Sequence, residues 1–94
     1  MSEFCLFQTD EFLKRLDKLP SQEATQIRKK LKNYVYPQLR GEPFFGPNIK
    51  KLRDYSPDTW RYRIGPFRLF YSVDIDESVV YLLTIGYRRD AYRK

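Results

Sequence analysis

The sequence predicts an α+β domain in which two N-terminal helices pack on a mainly antiparallel sheet, in the order β-α-α-β-β-β-β. Two periodicities and the break between them carry this expectation. Apolar residues recur at helical spacing from Phe12 to Val35, and from residue 49 onward they alternate as in strands, with Pro and Gly clustered at the change.

The short apolar run "FCLFQ", Phe4 to Gln8, reads as a first strand. Thr9 is placed to cap a helix that carries Phe12, Leu13, Leu16 and Leu19 and stops at Pro20. Ser21 is placed to cap a second helix, with Glu23 in its first turn and one stripe of Ala24, Ile27, Leu31, Tyr34 and Val35. Arg28, Lys29, Lys30 and Lys32 fall mostly on its other side, as a solvated face or a nucleic-acid contact. Pro37 and "GEP", Gly41 to Pro43, are expected to end that helix, and the following loop carries Phe44 and Phe45, which look exposed. Four strands then follow: "IKKLR", "TWRYRIG", "PFRLFYSVD" and "VVYLLTIG", separated by turns that form an antiparallel meander. The near-continuous apolar run Val79 to Ile85 suggests a central strand covered on both faces.

Ninety-four residues make one domain, small enough that roughly 60–65% of the unfolded chain's surface is hidden on folding. Eight Tyr, seven Phe and one Trp supply ample apolar area for a core, and no segment approaches the roughly 20 apolar residues of a membrane span. The N-terminal stretch has no basic region followed by a long apolar run, so no secretion signal is expected and the cytoplasm is the expected compartment. Cys5 is expected to be a small core residue. The chain has no histidine, which removes the commonest general acid and base and, with a single cysteine, makes a transition-metal site unexpected. No cofactor is expected.

Charge is polarised along the chain. Residues 1 to 27 hold three bases and five acids, whereas residues 28 to 94 hold fifteen bases and seven acids. A concentrated basic surface is what a polyanion binder presents, although a solvated basic face has the same composition. The stretch "TWRYRIGPFRLFYS", Thr59 to Ser72, makes the question specific. Trp60, Tyr62 and Ile64 share one face of a strand and Arg61 and Arg63 the other, while Arg68 follows the Gly65-Pro66 turn closely enough to stand beside Arg63. Like charges set opposite one another are destabilising unless an anion lies between them. Three guanidiniums on one patch suit a phosphodiester, because each donates two hydrogen bonds and stays charged at neutral pH. The competing structural explanation is pairing with Glu42, Asp54 or Asp58. Beyond the last strand, "IGYRRDAYRK" adds Arg88, Arg89, Arg93 and Lys94, with Tyr87 and Tyr92 bracketing Asp90 as candidates for stacking, orientation or proton transfer. Lys50, Lys51, Arg53, Arg89 and Arg93 are candidate RNA-binding residues.

"KLR" at Lys51 to Arg53, "WRYRIGPFRLFYSVD" at Trp60 to Asp74 and "IGYRRDAYR" at Ile85 to Arg93, behind two helices, resemble the RelE/ParE superfamily of bacterial and archaeal toxins from type II toxin-antitoxin systems. The resemblance covers the whole chain. Its RelE branch implies an mRNA interferase that enters the ribosomal A site and cuts mRNA without metal, by attack of the substrate 2′-hydroxyl on the adjacent phosphate. On that resemblance Arg61 and Arg63 match the two basic strand residues, Arg68 the arginine that holds the scissile phosphate, Arg88 the arginine at the leaving oxygen, and Tyr92 the tyrosine that stacks on the nucleotide. This chain departs from relatives that carry lysines at 61 and 63 and histidine at 87. Arginine is a poor proton acceptor at neutral pH, so the general base is open among Tyr87, Asp90 and Tyr92, or catalysis rests on electrostatic stabilisation. The implied partners are a cognate antitoxin, the ribosome and mRNA, with operator DNA bound through the antitoxin and no membrane. Two alternatives stand beside this: the ParE branch, a gyrase poison without catalysis, and a noncatalytic RNA- or ribosome-binding module.

Overall fold

The structure is a computed structural model that describes residues 3–87. β1 (Cys5–Gln8) leads into α1 (Asp10–Asp17), α2 (Ser21–Lys30), a π turn over Leu31–Val35, and α3 (Tyr36–Gly41). β2 (Ile49–Lys51), β3 (Trp60–Ile64), β4 (Phe67–Asp74) and β5 (Val79–Tyr87) follow. They form one five-stranded sheet in the order β1-β5-β4-β3-β2. The last four strands are the expected antiparallel meander, and β1 joins the far side of β5 in parallel.

The expected caps are half right. The Thr9 hydroxyl accepts the Phe12 N–H at 3.2 Å and donates to Leu82 O at 2.7 Å, so one residue both starts α1 and ties it to β5. Ser21, in contrast, is the first residue of α2 rather than its cap; Pro20 stands in the flanking position and no side chain caps the helix. Pro37 does not end the helical run. The chain stays helical to Gly41 because Leu31–Val35 widens into a π turn, in which Tyr36 N–H bonds back to Leu31 O, and the wider turn gives the proline ring room.

That turn rephases the apolar stripe. Ile27, Leu31, Val35 and Leu39 are buried, whereas Tyr34, expected in the stripe, is 68% exposed. Together with Phe12 and Leu16 of α1 they cover one face of the sheet, meeting Trp60, Tyr62, Ile64, Phe67, Leu69, Tyr71, Val80, Leu82 and Ile85 in a single core. Each such side chain contributes about 1.5–3 kcal/mol relative to exposure. Phe44 packs edge-on against Phe4 and Trp60, while Phe45 is 76% exposed.

Two expectations fail because the helices cover one face only. Cys5 is exposed, since it pairs with Val79 one step off the Leu6–Val80 pair that faces the core. The apolar run in β5 is not buried on both sides. Val80, Leu82 and Ile85 are fully buried, but Val79, Tyr81 and Leu83 are only half-buried. A register shift puts Phe70 opposite Thr84 and Tyr71 opposite Leu82, which leaves Leu83 as an extra residue in β5 and changes the strand's facing beyond it.

Tyr71 joins the sheet to the loop after α3, its phenol donating to Pro43 O at 2.7 Å inside the core. Burial, helped by the neighbouring Tyr62 and Glu42, pushes the phenol far above the usual tyrosine range. The unfolded chain therefore releases this proton near pH 10 while the folded chain keeps it. The stability contributed by the neutral phenol is fully present below about pH 10 and is lost as the pH rises above it, by up to about 1.4 kcal/mol per pH unit. Denaturant titrations at pH 8 and above pH 10 should show this loss in the native protein and a smaller one in Tyr71→Phe. Equal pH sensitivity in both proteins would refute the assignment.

Candidate nucleic-acid interface

Pleating sends the side chains of Trp60, Tyr62 and Ile64 into the core and turns Arg61 and Arg63 to the opposite face. Strand register then builds two cross-strand rows there. Lys50, Arg61, Phe70 and Thr84 stand opposite one another across β2, β3, β4 and β5. Beside them, Arg63 on β3, Arg68 on β4 and Gly86 on β5 form the second row. Gly65, at a φ of +58°, turns the chain between Ile64 and Phe67 and sets Arg63 directly opposite Arg68.

The arginines differ in burial. Arg63 is exposed, Arg61 is half-buried and Arg68 is only 6% exposed. Arg68 Nη1 donates to the carbonyls of Gly65 at 3.3 Å and Phe67 at 3.2 Å, and Arg61 Nη1 donates to Asn48 O at 3.1 Å. Nε of both Arg61 and Arg68 is buried without a hydrogen-bond partner among the described residues. None of the three arginines makes an ion pair among those residues. Two of the three carboxylates that could have neutralised them are used elsewhere: Asp58 pairs with Lys51 at 3.3 Å, and Glu42 accepts the Phe44 N–H at 3.1 Å. Backbone carbonyls orient the guanidiniums of Arg61 and Arg68 without cancelling their charge. A face built this way favours a bound anion, because partly desolvated cations attract it more strongly than solvated ones.

Other candidates are not gathered here. Lys51 is opposite Trp60, with its ammonium 5.7 Å from the indole centroid, on the helix-covered side of the sheet. Arg53 is exposed in the turn after β2. Tyr87 is also turned away from the arginines: its ring lies 4.7 Å from that of Phe67 against the core, and its hydroxyl donates to Glu23 of α2. This placement follows from the extra residue in β5, which reverses the alternation before Tyr87. Arg88, Arg89, Asp90, Tyr92 and Arg93 lie outside the described residues. The sequence reading did not select Phe70, which is buried on the arginine side as the apolar floor between Arg61 and Thr84; its signal was the strand alternation with Arg68. Gly86 was also missed, and nothing local marks it.

A five-stranded sheet with helices packed on one face is the fold of RelE toxins from type II toxin-antitoxin systems. Among solved structures, a RelBE toxin-antitoxin complex from Mycobacterium tuberculosis shares the fold at a TM-score of 0.71 and 24% identity, covering 94% of each chain. A double mutant of the E. coli toxin RelE in the free state matches at a TM-score of 0.66 and 29% identity, over 97% of this chain and 88% of that one. The intact E. coli RelBE toxin-antitoxin complex matches at 0.63 and 28%, over 89% and 95%. The family model described as ParE toxin of type II toxin-antitoxin system, parDE, matches residues 6–92, and the chain belongs to that family. It is a toxin of a RelBE/ParE-type system. No curated protein matches it by sequence comparison.

Proposed function

We propose that this toxin is a ribosome-dependent, metal-independent endoribonuclease that cuts mRNA in the ribosomal A site and so stops translation. The observation that carries the reading is the face bearing Arg61, Arg63 and Arg68, where backbone carbonyls hold Arg61 and Arg68 and all three charges are left without an ion pair among the described residues. The likeness to E. coli RelE at 29% identity supports the nuclease branch.

In the proposed reaction the 2′-oxygen of one nucleotide attacks its own 3′-phosphorus. The bond from phosphorus to the 5′-oxygen of the next nucleotide breaks, which yields a 2′,3′-cyclic phosphate and a free 5′-hydroxyl. Arg63 and Arg68, directly opposed, grip the non-bridging oxygens and stabilise the charge that grows on them in the transition state. Arg61, with Lys50 across the strand pair, positions the flanking backbone. Arg88, two residues beyond Gly86 in the chain, meets the leaving oxygen, and Tyr92 stacks on the nucleotide. Aligning the 2′-oxygen with phosphorus supplies the rest of the acceleration; its proton leaves to solvent, and solvent returns one to the leaving 5′-oxygen.

The same basic face is the docking surface proposed for a cognate antitoxin. An acidic segment that folds as it binds would neutralise the arginines and block RNA at once. The family description names ParE, so gyrase poisoning is the second reading. Primer extension on mRNA from a translating extract decides between them. Cuts in register with codons, absent when the nucleotide before the cut is 2′-deoxy, are expected. Intact mRNA together with trapped gyrase–DNA cleavage complexes would establish the poison instead.

A further inference from the structure

β1 pairs with β5 only over Val79–Leu82, so among the described residues the outer edge of β5 from Leu83 onward has no strand beside it. α1 takes that place. Thr84 Oγ1 donates to Glu11 Oε2 at 3.3 Å, and Arg15 Nε donates to Ile85 O at 3.4 Å. Arg15 then reaches past the edge: its Nη2 lies 3.2 Å from where a Cβ on Gly86 would stand. Gly86 shares a face with Arg68 and Arg63, so the guanidinium of Arg15 fills the side-chain position that glycine leaves open at the end of the arginine row. Any larger residue at 86 would contest that space.

We propose that Arg15 is a fourth phosphate-binding residue, which continues the RNA track across the edge of β5. The inference rests on the nuclease reading and extends it to a residue of the net-acidic stretch over residues 1 to 27. With strands about 4.8 Å apart, the row from β3 to β5 spans roughly 10 Å, too wide for one phosphate to bridge. Arg15 therefore holds the phosphate next to the scissile one. A cleft of about 280 Å³, lined by Arg15, Lys18, Leu19, Ile85, Gly86 and Tyr87, adjoins it and gives the flanking nucleotide room. Glu11 is the nearest carboxylate partner among the described residues, 3.8 Å from Nε and shared with Thr84. The side chain of Arg15 is 41% exposed, accessible to a ligand.

The test measures binding of a short fluorescein-labelled oligouridylate by anisotropy across a salt series, with the native toxin, Arg15→Gln, Arg15→Lys and Glu11→Gln. Loss of one phosphate contact from a single strand should lower the slope of log affinity against log salt by about 0.7 in Arg15→Gln. Arg15→Lys should keep most of that slope. Glu11→Gln weakens the neighbouring attachment of α1 to β5, through Thr84, but leaves the cation, so it should keep the slope as well. An unchanged slope in Arg15→Gln overturns the proposal, and so do equal losses in Arg15→Gln and Glu11→Gln, which would make Arg15 only a fastening for α1. Salt-insensitive binding by the native toxin would overturn the nuclease reading itself, an outcome distinct from either of these.

Discussion

Arg68→Ala is expected to abolish mRNA cleavage and growth arrest while the fold survives. Arg68 is the most enclosed of the three arginines, at 6% exposure, and two carbonyls of its own hairpin, on Gly65 and Phe67, hold its guanidinium. A donor fixed this way needs no reorganisation when the phosphorane forms, and losing one such donor lowers a rate by about 10²–10³. Stability should move little or rise, because the substitution removes a charge that faces Arg63 across the hairpin and has no ion-pair partner among the described residues. Thermal melting and primer extension on the same preparation check both halves. A folded variant that still cuts mRNA at the native rate would place the scissile phosphate elsewhere.

The largest effect on stability is expected from Phe12→Ala. Phe12 has no exposed surface and sits where α1 meets the core side of β5, on the helix that Thr9 ties to Leu82. Truncating a buried phenylalanine costs about 3–5 kcal/mol, since the transfer term and the cavity add. Against a total of roughly 5–15 kcal/mol for a domain of this kind, that is a large fraction. The expected fall in Tm is on the order of 15–30 °C. Calorimetry on the toxin without its antitoxin is the measurement, because a bound partner would mask the loss. A fall of only a few degrees would mean that α1 contributes little to the fold. The Arg15 position, carried by the same helix, would then lose its rigid support.

Much of the architecture was legible in the chain. The switch from helical to alternating periodicity near Ile49 marks the change from helices to meander, and Trp60, Tyr62 and Ile64 face the core as their spacing requires. The errors have physical causes. Pro37 reads locally as a helix end, but the π turn over Leu31–Val35 accommodates it, exposing Tyr34 and burying Leu39. Cys5 reads as apolar core, but β1 is an edge strand and only one of its faces meets helices. For the site, the sequence singled out Arg61, Arg63 and Arg68 because acidic residues are missing between Asp58 and Asp74. It could not say whether distant carboxylates would neutralise them.

Sequence alone determined that this chain separates charge from apolar surface along β3, because pleating sends alternate side chains to opposite faces whatever the rest of the chain does. It also determined, through the Gly65 turn, that Arg63 and Arg68 would be neighbours, since a tight hairpin fixes its own register. Only the tertiary structure decided which groups join them. Asp58 goes to Lys51, Arg15 arrives from a helix about fifty residues away in the chain, and Gly86 leaves the space it occupies. The extra residue at Leu83 shows the division most plainly. Strict alternation from the buried Leu82 would put Tyr87 among the arginines, but one unpaired residue reverses the strand and sends it to Glu23 instead. Alternation is a property of one strand, whereas a bulge and its register depend on the neighbouring strand, and no local pattern encodes that pairing.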